Sequence, residues 1–182
     1  MGMERSATCV FLAGIGNSGP EHWQSLWRGR LPGSVWVEHD AWDEPDRDAW
    51  VRDLDAVLRS IAGPKVLVAH SLGCSVLAEW AVGHADEGVV GAFLVAMPDP
   101  HGPGFPAEAV GFDAPRHEPL PFPAVLVASE DDPYGSMEYA VAAAGRLGAP
   151  LVNVGPKGHV NAESGLGDWP EGWSLFTERF PG

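Results

Sequence analysis

Positive charge is scarce in this chain: 11 lysines and arginines stand against 25 aspartates and glutamates in 182 residues, a formal net charge of −14. Nucleic acid and anionic lipid surfaces both demand a basic patch, so this balance excludes either as a partner and serves solubility instead. Long apolar runs are missing as well. No stretch reaches the roughly 18 apolar residues of a membrane helix, and the opening MGMERSATCVFLAG has neither the basic start nor the apolar length of a secretion signal. Cysteine is nearly absent. Cys9 and Cys74 sit in apolar runs and read as small buried hydrophobes rather than a disulfide pair, which points to the cytoplasm. Five histidines, His22, His39, His84, His101 and His117, show no paired ligand spacing, so no metal site is expected.

What is present is an alternation. Apolar runs near 7–12, 34–38, 65–69, 89–96, 124–129 and 150–154 read as strands, and helical spacing appears near 20–29, 45–62, 72–83, 135–147 and 171–180. Strands alternating with helices argue an α/β fold with a parallel sheet covered on both faces. In the second helix Trp50, Leu54, Val57, Leu58 and Ile61 share one side, and Arg52, Asp53, Asp55 and Arg59 take the others, the pattern of a surface helix docked on a sheet. The length suits one domain over residues 1–182. The one sizeable irregular stretch, 97–122, is rich in proline and glycine and reads either as a minimal lid or pocket wall or as a plain connection.

The period changes from strand to helix within VLVAHSLGCSVLAEW, and the turn falls on His70 and Ser71. A serine at such a bend, with small residues two before and two after it, is the nucleophile elbow of an α/β-hydrolase. Ala69 and Gly73 are those small residues, alanine standing where glycine is usual. The competing reading is that Ser71 only caps the following helix.

A nucleophilic serine in this fold needs an acid and then a histidine further along the chain. The strand at 124–129 opens into Glu130, Asp131, Asp132 and Pro133, and Asp132, held extended by the proline after it, is the preferred acid. Glu130 and Asp131 read as solvated loop carboxylates. Asp99, after the fourth strand, is the rival acid. The last strand empties into GPKGHVNAES, which sets His159 in a glycine-flanked loop with no packing reason to be there. Charge developing on a substrate carbonyl oxygen would need two donors: the backbone N–H of Leu72, just after the serine, and one from the loop Gly14–Gly19. Ile15, Gly16 and Asn17 all qualify for the second, and Asn17 is chosen. That loop lacks dinucleotide-fingerprint spacing and a P-loop lysine, so no cofactor is expected. Trp23 and Trp27 share a helix face that packs on the sheet, with Trp23 a candidate for the acyl pocket.

With these residues in place, the chain resembles the small α/β-hydrolases of the YdeN-like type, related to retinoblastoma-binding protein nine. The resemblance runs through GNSGPEHWQSLW, AHSLG, SEDDPYGS and GHVNAESGLGDWPEGW. It implies Ser71 as nucleophile, Asp132 as orienting acid and His159 as general base, and a reduced six-stranded sheet in the order 2-1-3-4-5-6. A retinoblastoma-type docking peptide does not carry over, since the nearest match, LGCSV from Leu72, lacks the glutamate. The expectation is a cofactor-independent serine hydrolase acting on a small-molecule ester, thioester or amide through an acyl-enzyme. An acyltransferase using the same intermediate and a binding protein on this scaffold are the alternatives.

Overall fold

Six parallel strands form one sheet in the order β2-β1-β3-β4-β5-β6, in a computed structural model that describes residues 6–84 and 87–182. They are β1 (Thr8–Leu12), β2 (Val35–Trp36), β3 (Lys65–His70), β4 (Val89–Val95), β5 (Ala124–Ala128) and β6 (Leu151–Asn153). Between and after them run α1 (Trp23–Arg28), α2 (Arg47–Ser60), α3 (Leu72–Gly83), α4 (Met137–Leu147) and α5 (Pro170–Arg179), with a short 3₁₀ turn at Ala162–Ser164. The expected alternation and strand order are therefore those of the molecule.

Strand side chains alternate between two cores, as the two-residue strand period requires. Val10, Leu12, Leu67, Ala69 and Leu94 face Trp50, Leu54 and Leu58 of α2, Leu77 and Trp80 of α3 and Ala143 and Leu147 of α4. Phe11, Val66, Val68, Phe93, Val95 and Val127 face Trp23 and Trp27 of α1 and Trp169 and Phe176 on and beside α5. The central strands are buried on both faces, which is why β3 and β4 read as nearly continuous apolar runs. Cys9 and Cys74 are both free thiols, and burial holds the Cys9 thiol at a pKa of about 11.

Several elements differ from their expected bounds, β2 most of all, which spans only Val35–Trp36 against the expected 34–38. Helix α1 starts at Trp23 rather than near Pro20, because the His22 ring accepts from the Gln24 N–H and closes the helix there. Helix α2 starts at Arg47, capped by Asp46, and ends at Ser60 before the Gly63–Pro64 turn. Segment 97–122 has no helix or strand of its own, yet it is tied down at several points. Buried Glu79 of α3 accepts from Arg116 N and Nε, and Val110 pairs with the backbone around Asp46. His101 donates to the Asp113 carbonyl.

Candidate active site

Strand β3 ends at His70 and helix α3 starts at Leu72, so the whole turn is made by Ser71, whose φ of 55° and ψ of −126° lie outside the regions most residues adopt. A non-glycine residue there costs about 1–3 kcal/mol and persists only where the surroundings dictate it. Two close approaches dictate it here. A Cβ on Gly73 would lie 2.5 Å from the Leu12 carbonyl oxygen, and one on Gly14 would lie 3.0 Å from the Ser71 Cβ. Only glycine lets β1, its loop and α3 come this near to each other. The Ser71 side chain makes no capping bond to the helix, which removes the reading of Ser71 as a mere cap.

Ser71 Oγ instead lies 2.8 Å from His159 Nε2. His159 Nδ1 is 2.9 and 3.0 Å from the two carboxylate oxygens of Asp132. With Nδ1–H donating to the carboxylate, Nε2 is left as the acceptor for the serine hydroxyl. Asp132 is 3 % and His159 10 % exposed at the side chain, so both bonds are shielded from water. The rival Asp99 is engaged in its own loop, where its carboxylate accepts from the His101 N–H.

The histidine loop is held from three sides. His70 Nε2 donates to the His159 carbonyl at 2.9 Å, and Trp23 Nε1 donates to the Val160 carbonyl at 2.8 Å. The carboxylate of Asp131 accepts from Gly158 N–H and from Ser129 Oγ, and Ser129 Oγ in turn accepts from Lys157 N–H. Asp131 is therefore a brace rather than a merely solvated carboxylate, and the Gly158 N–H followed by the Ser129 hydroxyl holds its pKa below the usual range. Val160 has a φ of 49°, unusual for a β-branched residue, and its side chain is fully buried.

Two expectations need correction. Asn17 lines the site, but its backbone N–H is spent on the Gly14 carbonyl at 3.1 Å, and Gly16 N–H on the Trp42 carbonyl. Of the three candidates Ile15, Gly16 and Asn17, Ile15 is the one whose N–H has no acceptor among the described residues, so it replaces Asn17 beside Leu72 N–H as the candidate second donor. Trp23 does not line the cavity at all. It is 1 % exposed and packs against Trp27 and Trp169, with its ring nitrogen given to the histidine loop.

Its neighbours were not singled out by the sequence reading. Gln24 is fully buried, donates to both the Leu12 and Val68 carbonyls and accepts from Ser18 Oγ. His22 caps α1 and lies with its ring 4.6 Å from that of His70. Consecutive residues His22, Trp23 and Gln24 thus tie the glycine loop, the ends of β1 and β3, and the histidine loop together. Burial, then the nearby His159, depresses the His22 pKa to about 4; burial, then His22 and His159, holds His70 well below its ordinary value. Both are neutral at physiological pH.

Above Ser71 lies a cavity of about 460 Å³. Ile15, Leu72, Phe105 and Pro106 supply apolar wall, and Asn17, Ser18, Asn161 and Glu163 a polar rim. Segment 97–122 contributes Pro98, Gly104, Phe105 and Pro106 to that wall, whereas Phe112 and Phe122 are buried in the core. Among the described residues no group of three or more histidines, cysteines or carboxylates is placed to hold a metal ion.

The sheet order, the strained serine between β3 and α3, the acid after β5 and the histidine after β6 define an α/β-hydrolase fold. The model of the serine hydrolase family matches residues 9–178, and the chain belongs to that family. It is similar over 96 % of its length to a protein described as a YdeN-like hydrolase from Pectobacterium atrosepticum, with 31 % identity, a TM-score of 0.84 and 91 % of that chain covered. The ydeN gene product of B. subtilis aligns over 97 % of this chain and all of its own, at 19 % identity and a TM-score of 0.78. BpoC of Mycobacterium tuberculosis, a protein described as a non-heme bromoperoxidase, shares the fold at 14 % identity and a TM-score of 0.69, over 98 % of this chain and 92 % of its own. No curated protein matches the chain significantly.

Proposed function

We propose that this serine hydrolase cleaves a small carboxylic ester, thioester or amide through an acyl-enzyme on Ser71. The observation that carries the reading is the continuous chain Ser71 Oγ, His159, Asp132, with contacts of 2.8 and 2.9 Å. His159 takes the hydroxyl proton as Oγ bonds to the carbonyl carbon, then gives it to the leaving oxygen, sulfur or nitrogen as that bond breaks. Water then attacks the acyl-enzyme by the same route in reverse roles, releasing the acid and restoring Ser71. Leu72 N–H stands at the N-terminus of the 12-residue helix α3, and with Ile15 N–H it meets the negative oxygen of each tetrahedral intermediate. A fluorophosphonate probe tests the nucleophile. Wild type should be labelled at Ser71, and Ser71→Ala should lose labelling while keeping its circular dichroism spectrum. Labelling that persists in Ser71→Ala, or that maps to Ser129 or Ser164, sinks the assignment.

A further inference from the structure

Only one of the residues lining the cavity carries a formal charge, and it is a carboxylate, Glu163. It follows His159 by four residues, in the 3₁₀ turn that the histidine loop runs into, and is exposed. This position has a direction. The leaving group takes its proton from His159 Nε2, so it must lie on the His159 side of the scissile carbon, while the oxyanion lies on the Ile15 and Leu72 side. Glu163, in the turn that follows His159, and Tyr134, whose ring packs on it, are the lining residues associated with that histidine and so with the leaving-group side.

Tyr134 strengthens the point. It lines the cavity, is 38 % exposed, and its ring centroid lies 4.6 Å from that of His159. An aromatic ring and a carboxylate in the wall of one cavity favour an ammonium group, through the ring quadrupole and the opposite charge. Among the described residues that line the cavity there is no lysine or arginine. The chain's formal charge of −14 adds a long-range field that repels polyanions and draws cations toward the site.

We propose that the leaving-group half of this cavity selects amine-bearing, cationic leaving groups over phosphate-bearing ones, with neutral ones between. The inference rests on the acyl-enzyme reading and deepens it, because it excludes coenzyme A-type thioesters as preferred substrates. Recognition is by charge, so it must respond to salt and to charge reversal, which a limit of pocket size would not.

The test holds the acyl group and the scissile thioester constant and varies only the charge of the thiol. Acetylthiocholine, S-acetyl-2-mercaptoethanol and acetyl-coenzyme A are compared by thiol release at low and high ionic strength. At low salt kcat/KM should fall in that order, with about tenfold or more between the first and the last, and the spread should narrow as salt is added. Glu163→Gln should bring the thiocholine-to-neutral ratio toward one, and Glu163→Lys should raise acetyl-coenzyme A relative to the neutral thioester. Equal rates on all three, a preference for acetyl-coenzyme A, or ratios indifferent to salt and to both substitutions overturn the inference. Hydrolysis of the neutral thioester without charge preference would overturn it alone. Failure to hydrolyse any of the three, together with failure of the probe to label Ser71, would overturn the acyl-enzyme reading as well.

Discussion

Asp132 and Asp99 stand on neighbouring loops, and only one carboxylate reaches His159. Asp132→Asn keeps the shape but presents an amide that favours the other imidazole tautomer, leaving Nε2 protonated toward the serine. Its kcat should drop by about 10³ to 10⁴, whereas Asp99→Asn should change kcat by no more than a few fold; steady-state kinetics that rank them the other way would move the acid to the earlier loop. His22 offers a second test, in stability. Its pKa is depressed from 6.5 to about 4, so between those values the unfolded chain binds the proton that the folded chain refuses. The contribution is fully present above pH 6.5 and is lost as pH falls toward 4, amounting to about 2 kcal/mol by pH 5. Urea midpoints measured at pH 7 and pH 5 should show this loss, and His22→Asn, which keeps a capping oxygen, should show less of it. A pH-independent difference between the two proteins would mean that His22 is not held neutral by folding.

Helix α1 has only six residues, yet it connects every part of the site. Trp23→Phe keeps an aromatic ring but loses the pyrrole half of the indole with the N–H that bonds the Val160 carbonyl, so an unpaired buried carbonyl remains, at about 1–3 kcal/mol. If the bond positions His159, kcat should fall about tenfold with KM little changed, and Val160→Gly, free to adopt a positive φ without strain, should make kcat less sensitive to the loss of Trp23. A fall in thermal stability with kcat preserved would leave Trp23 a packing residue only. None of this was legible in the sequence. The alternation of elements, the period change at Ser71 and the chain order of serine, acid and histidine are written in residue type and spacing, and they were enough to give the sheet and to name the three side chains that meet. Which N–H groups of the glycine loop are already spent, and that Trp23 turns its nitrogen away from the cavity, depend on partners 137 residues apart for Trp23 and Val160 or on turn geometry, and leave no periodic trace. The His22–Trp23–Gln24 run could have been noticed for placing two polar residues on an otherwise buried helix face, since buried polar groups are bonded to something.

At the scale of the whole molecule, the irregular segment 97–122 buries Phe112 and Phe122 in the core, is tied to α3 through Arg116 and Glu79, and gives the cavity only a partial wall. A methylene gains up to about 0.8 kcal/mol only where protein covers it, so acetyl to butyryl aryl esters should be hydrolysed with higher kcat/KM than lauroyl or palmitoyl esters. A value that keeps climbing to the twelve-carbon chain would require an apolar channel that the cavity lining does not supply. The parallel sheet has a further result, in time rather than space. Ser71 lies 88 residues before the histidine bonded to it, and that histidine follows β6, the edge strand that is last in the chain. During synthesis the serine emerges with its elbow long before its base exists. A nascent or truncated chain that ends before β6 lacks His159, and so carries Ser71 with no imidazole beside it.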